Sequence, residues 1–287
     1  MAAKQLPLPG EIVKKSNALC RARWEVDSLY EPRLVALTAS KVKRSDLDFQ
    51  EYEIPLQDII GDARGGKTYK IVESIIDNLM SKVITIRDKN SASFIKYNIF
   101  SKCAYDSVKN VVIARFDPDL KPHFLGLKEK FTEYSLLEFL KLPSIYSQRL
   151  YEILKSWDDV DHVTIPISDL HEMLSTPISM RKTFGEFRRR VLDKAYDDIT
   201  KRTGLKYIWA PIKSGRNIVA VSFSFSLQSI EEKEAKFEEQ KRKQSNVAFK
   251  EAISCWQLKG TKGTACNEFN PKKEKCQLCQ KILQGKP

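Results

Sequence analysis

The sequence predicts an α+β chain built as two tandem winged helix-turn-helix domains with a charged, cysteine-containing C-terminal tail. Three observations support this. Ile54-Pro55-Leu56-Gln57-Asp58-Ile59 returns as Ile165-Pro166-Ile167-Ser168-Asp169-Leu170, a constant 111 residues later. Each copy is followed by the same succession of patterns: a turn, a longer amphipathic helix, then strands able to pair as a hairpin. The 287 residues, 42% hydrophobic and 30% charged, leave room for two domains with real cores and a tail.

Taken in order, a leading helix is expected at Pro32 to Ala39, then a strand at Glu51 to Ile54. Pro55 follows at a first helical position, where its missing N–H is harmless. Leu56, Ile59 and Ile60 then fall at helical spacing. Gly61 to Gly66 reads as the turn, and Thr68 to Lys82 as the longer helix, with Val72, Ile75, Ile76, Leu79 and Val83 on one face. Strands are expected at Val83 to Arg87, Ser93 to Phe100 and Val111 to Phe116. The second copy has its leading helix at Leu142 to Trp157, a strand at His162 to Ile165, and Ile167, Leu170 and Leu174 on the next helix. After the turn Ser175 to Ser179, the longer helix carries Phe184, Phe187, Val191, Ala195 and Ile199. Strands at Leu205 to Ala210 and Ile218 to Phe225 follow, joined by a loop at Ile212 to Asn217. The domains are expected at residues 1–132 and 133–227, with 228–287 as linker and tail. Ile230 to Lys250 is mostly charged and has too few apolar positions for a packed face.

Forty-nine Lys and Arg against 37 Asp and Glu give a net charge of +12. Such an excess favours a polyanionic partner, and double-stranded DNA fits the helix-turn-helix pattern. No apolar run approaches the roughly 18–20 residues of a membrane span, and Met1 to Gly10 lacks a signal peptide's apolar core. A cytoplasmic protein with reduced cysteines and no membrane partner is expected.

The basic chemistry concentrates on the second long helix. With Phe187 set toward the core, Lys182, Gly185 and Arg189 point the opposite way, flanked by Arg181 and Arg188. Arg188, Arg189 and Arg190 are consecutive and cannot all be buried. Asp193, Asp197 and Asp198 stand at the far end of the helix. That polarity suits insertion of the basic half into a major groove, with arginines reading guanine edges. Lys213 and Arg216, between the last two strands, are the expected wing contacts to backbone. In the first copy Lys67, Thr68 and Lys70, at a helix start, are the corresponding candidates.

Gly61-Asp62-Ala63-Arg64-Gly65-Gly66-Lys67-Thr68 satisfies the phosphate-cradling pattern G-x-x-x-x-G-K-[ST], so a P-loop nucleotide hydrolase is a rival reading. The pattern needs a buried strand leading into it, and Gln57 and Asp58 interrupt the apolar run there. No second acidic strand for Mg²⁺ stands out. His123, His162 and His171 lack ligand spacing and are expected as core or surface residues. Tyr146 and Tyr151 are expected as helix packing residues. No catalytic residues are assigned, and no cofactor is required. Cys255, Cys266, Cys276 and Cys279 fall within the last 33 residues, and Cys276-Gln277-Leu278-Cys279 has the knuckle spacing of a Zn²⁺ site. The spacing of the other pair is not a standard knuckle, so the tail is read either as a metal centre or as free thiols.

Three segments resemble the Rep family of iteron-plasmid replication initiators: Phe116-Asp117-Pro118-Asp119-Leu120-Lys121-Pro122-His123-Phe124-Leu125-Gly126-Leu127 with Phe131-Thr132, Ser144 to Leu154 (SIYSQRLYEIL), and Phe187-Arg188-Arg189-Arg190-Val191-Leu192 ahead of Val221 to Phe225. Their order and spacing agree over about residues 12–226. The resemblance implies two winged-helix domains that bind repeated origin sequences as monomers and start replication. It also implies dimers formed through the first domain that repress their own gene, a bacterial setting and contact with host replication proteins. The Arg188–Arg190 helix corresponds to the family's main reading helix, and Thr68 to Lys82 to its first-domain counterpart. A winged-helix transcriptional repressor is the nearer alternative.

Overall fold

The computed structural model describes residues 12–43, 45–61, 68–87 and 91–225. The tail, its cysteines and most of the glycine-rich segment before Thr68 lie outside these residues. The chain opens with β1 (Ile12–Ser16), α1 (Asn17–Cys20), β2 (Arg23–Trp24) and α2 (Tyr30–Lys41). Then come β3 (Tyr52–Pro55), α3 (Leu56–Ile60), α4 (Thr68–Ser81), β4 (Val83–Arg87), β5 (Phe94–Asn98), β6 (Phe100–Asp106) and β7 (Val111–Phe116). α5 (Lys121–Phe124), β8 (Phe131–Ser135), α6 (Leu136–Leu140) and α7 (Ile145–Lys155) lead into the second repeat. That repeat contains β9 (His162–Pro166), α8 (Ile167–Met173), α9 (Ile178–Arg181), α10 (Phe184–Phe187), a π-helical turn (Arg188–Leu192), α11 (Asp193–Arg202), β10 (Ile208–Ser214) and β11 (Asn217–Ser224).

The sequence echo is a structural echo. In each copy the strand before the first helix is an outer strand of a three-stranded sheet, ordered β3-β7-β6 in one and β9-β11-β10 in the other. Pro55 and Pro166 end these outer strands, where an absent N–H costs no central ladder bond. They sit one residue earlier than expected, as N-caps of α3 and α8 with extended ψ of 132° and 142°. The two copies differ by an insertion. β4 and β5 form a hairpin that pairs with β2, apart from the wing sheet. The expected strand Ser93 to Phe100 is therefore two strands, broken at the fully buried Ile99. Val83 opens the expected strand β4, but it is exposed and does not join the buried helix face.

The second wing is longer than expected. β10 runs on to Ser214, so the loop expected at Ile212 to Asn217 contracts to the two-residue turn Gly215-Arg216. Gly215 permits this because its φ is +60°, a conformation that side chains resist.

One apolar cluster extends from Val13 to Phe223 through both repeats. α7 is shared between them. On one side Glu152 accepts from Lys15 of β1 and, at 2.6 Å, from Tyr134 of β8. Arg149 donates to the carbonyls of Cys20 and Ala22. On the other side Ser147 donates to Asp198 of α11 at 2.5 Å. The boundary expected between residues 132 and 133 falls within β8, all five residues of which pair with β1.

Candidate nucleic-acid interface

The second long helix runs through residues 184–202 as α10, the π-turn and α11. Phe187, Val191, Ala195 and Ile199 are buried as the helical spacing predicts. A fully buried Phe such as Phe187 contributes about 2–3 kcal/mol of anchoring. Leu192 is fully buried as well, at the edge of the apolar stripe that holds Val191 and Ala195. The π-turn absorbs one extra residue, which widens the buried face at this point. The three arginines that open it remain outside, with side chains of Arg188, Arg189 and Arg190 58%, 69% and 56% exposed. All three meet solvent. At Gly185 on the same outer side, an added Cβ would find open space.

Ion pairs hold these arginines in place. Arg188 reaches Asp193 at 3.2 Å, and its guanidinium lies 5.7 Å from the ring of Trp209 on β10, tying the helix to the wing's base. Arg189 and Arg190 both pair with Glu186, each at 2.7 Å. The Arg189 guanidinium, first among its neighbours, holds the Glu186 carboxyl below its ordinary range. Lys182 is exposed just ahead of α10. Lys213 and Arg216 are exposed at the wing tip, and a bulge between Ile212 and Lys213 re-aims Lys213. At the acidic end of the helix Asp198 accepts from Ser147, and Asp197 reaches Lys201 at 3.5 Å.

Arg181 is the exception among the expected contacts. Its Nε donates to the Thr176 carbonyl at 2.8 Å, and its Nη1 reaches Glu172 at 3.1 Å. Glu172 also holds Arg23 of β2 at 3.0 Å, so Arg181 joins a bridge between the repeats. The sequence placed Arg181 on a helix flank, and the bridge it joins, in which Glu172 also holds Arg23 149 positions before it, could not be read locally.

The first repeat offers a weaker surface. On α4 the exposed positions are Tyr69, Lys70, Glu73, Ser74, Asp77, Met80 and Ser81, one cation against two carboxylates. Thr68 opens this helix, and Lys67 lies outside the described residues. In the wing of this repeat Lys102 pairs with Glu51 and Lys109 with Glu53. Among the described residues, the long helix of the second repeat carries more exposed cations than α4.

The segment before Gly61 is the helix α3, with no strand leading into the glycine-rich pattern. Among the described residues no group of three or more His, Cys, Asp or Glu could hold a metal ion, and no helix is long and apolar enough to cross a membrane. Tyr151 is buried and donates to Glu138 at 2.9 Å, while Tyr146 reaches Met180. His123 is half-buried against Ser16. His171 is buried, bonded to Thr176 at 2.7 Å and packed on the ring of Phe187.

Burial, then the neighbouring Arg181, lowers the His171 pKa below its ordinary 6.5. The neutral imidazole is the form the fold prefers. Stability from this site is complete above the unfolded pKa near 6.5 and declines as pH falls below it. The urea midpoint should accordingly drop between pH 7 and 5, and His171→Gln should flatten that dependence. An NMR titration placing His171 above 6.5 would contradict this assignment.

Comparison with known proteins agrees with this architecture. Residues 12–155 match the family described as "Initiator Replication protein, WH1", and residues 166–225 match "Initiator Rep protein, WH2". An Escherichia coli protein named PI protein is 27% identical over 154 residues, covering 48% of this chain and 50% of the relative. The chain thus spans about half the length of that curated relative. A crystal structure of the Pi initiator protein in complex with iteron DNA superposes with a TM-score of 0.60 at 19% identity, over 76% of this chain and 98% of that one. At that identity the likeness establishes the fold. With both winged-helix halves matched in order, the chain belongs to the family of initiator replication proteins.

Proposed function

We propose that this chain is a plasmid replication initiator that binds iterons, the direct repeats of an origin, with its second repeat as the main reader. The observation that carries the reading is the exposed triad Arg188–Arg190, with Arg188 5.7 Å from Trp209 of the strand that leads to the exposed wing cations Lys213 and Arg216, in a chain of this family. The triad has the charge for phosphates and the paired donors for guanine edges. Two helix-turn-helix units in tandem suit a site of roughly two turns, ~20 bp. Self-association through the first repeat has a candidate strand in β5. It ends the sheet β2-β4-β5 and exposes Phe94 and Ile95, the kind of edge that pairs with another chain. Dimers formed there would serve autorepression.

A non-enzymatic role accords with the helix that precedes the P-loop-like pattern. The test is a direct-repeat duplex titrated with the protein in two salt concentrations, with Mg-ATP binding measured alongside. Arg189→Ala should weaken the cognate repeat by about 1–3 kcal/mol and relax one base pair. Lys213→Ala should weaken all sequences alike and lower the salt slope by about 1. Wild-type affinity in both variants, or tight ATP binding, would count against the reading.

A further inference from the structure

The reading helix carries a carboxylate where a polyanion is expected to dock. Glu186 lies in the first turn of α10, between the exposed Gly185 and the arginine triad. Its Oε1 accepts from Arg189 Nη2 and its Oε2 from Arg190 Nε, both at 2.7 Å. One acid thus occupies two of the three arginines. Exposed pairs of this kind add little stability, so the helix does not need Glu186 for its fold. Against phosphates the carboxylate is repulsive. Against base edges it is selective, because a carboxylate in the major groove can accept from an amino group such as cytosine N4, as arginine donates to guanine.

We propose that Glu186 is a specificity-determining residue of the reading helix: it withholds Arg189 and Arg190 from indiscriminate phosphate contact and selects a C·G pair by accepting from the cytosine amino group. This rests on the DNA-reading function proposed above. On a non-cognate duplex the two arginines stay paired with Glu186, and the carboxylate is left facing phosphates. On the cognate duplex the acid gains a donor as the arginines gain guanine acceptors. Arg188 is paired differently, with Asp193 on the distal side of the π-turn, so Asp193 serves as a charge-matched control.

The experiment uses the full chain and a random 30-bp duplex library. Wild-type protein selects its preferred sequence, and affinities are measured for the selected duplex and for the unselected pool. Each freed phosphate contact is worth roughly an order of magnitude in affinity near 0.1 M salt. Glu186→Gln, nearly isosteric, should therefore bind the unselected pool about tenfold more tightly. It should steepen the salt slope by about 1–2 and lose preference at one C·G pair. Asp193→Asn should leave the selected sequence unchanged. Glu186→Gln with wild-type preference and pool affinity would overturn the proposal, as would an equal loss of preference in Asp193→Asn, since that would be a general charge effect. A wild-type protein that enriches no sequence would remove the DNA-reading function itself, and the role of Glu186 with it.

Discussion

Glu152→Ala is expected to destabilise the fold by about 3–5 kcal/mol, the range for breaking a buried ion pair from one side. Glu152 is almost wholly buried in α7 and accepts from Lys15, from Tyr134, and from Arg149 at 2.5 Å. Two buried cations share this one carboxylate. Burial by itself would raise its pKa, but Lys15 and then Arg149 outweigh that and hold it below the ordinary glutamate value. Removing the carboxylate leaves both cations uncompensated. Lys15→Met should cost much less, because it leaves Glu152 and Arg149 as a neutral pair. Urea unfolding of the two variants checks the order, and equal losses would show that the triad does not act through its charge. The sign of the pH dependence also follows. A lowered folded pKa gives stability that is present above the ordinary glutamate value and lost as pH falls through the folded one.

Replacing Arg188, Arg189 and Arg190 together with Ala should lower affinity for the cognate repeat by about two to three orders of magnitude near 0.1 M salt and flatten the salt slope by about 2–3. Their exposure supports this, since no core contact is lost with them. Thermal unfolding should change little, because Phe187, Val191 and Leu192 still fill the buried face. A triple variant that kept near-wild-type affinity would move the reading surface elsewhere, and α4 with its single exposed lysine is a poor substitute. The wing supplies an internal comparison, because losing Lys213 or Arg216 removes backbone contacts without a base preference.

Several features were legible because they rest on local pattern. The repeat Ile54 to Ile59 and Ile165 to Leu170 identified a duplicated strand–helix unit, and both copies form it. The 3.6-residue spacing of Phe187, Val191, Ala195 and Ile199 identified the buried face of the reading helix. Three adjacent arginines had to include exposed ones, and all three are exposed. Of the segments that carried the family resemblance, Ser144 to Leu154 proved largely interior, and Phe116 to Leu127 only in part. Arg149, Tyr151 and Phe124 are buried, and His123 is half-buried.

Other features were not legible, and each has a physical reason. The π-turn at Arg188–Leu192 leaves only a one-residue slip in the apolar pattern and so had no clear signal. The β4–β5 hairpin follows the helix just as a wing would, and only its pairing with β2 separates it from the wing. The division between the two halves is blurred because α7 uses one face for β1 and β8 and another for α11.

The sequence by itself determined the winged-helix duplication, the basic reading helix and the family, because helical period, strand alternation and adjacent charges act over a few residues. Only the tertiary structure decided which exposed cations are tied into the fold. Arg181 and Arg189 look alike in the sequence, yet Glu172 and the Thr176 carbonyl draw Arg181 into the junction between the repeats, while Arg189 stands on the open face. Whether a guanidinium reads DNA or braces the fold depends on which acceptors packing brings within about 3 Å. Those acceptors come from elements that meet only when the chain is folded.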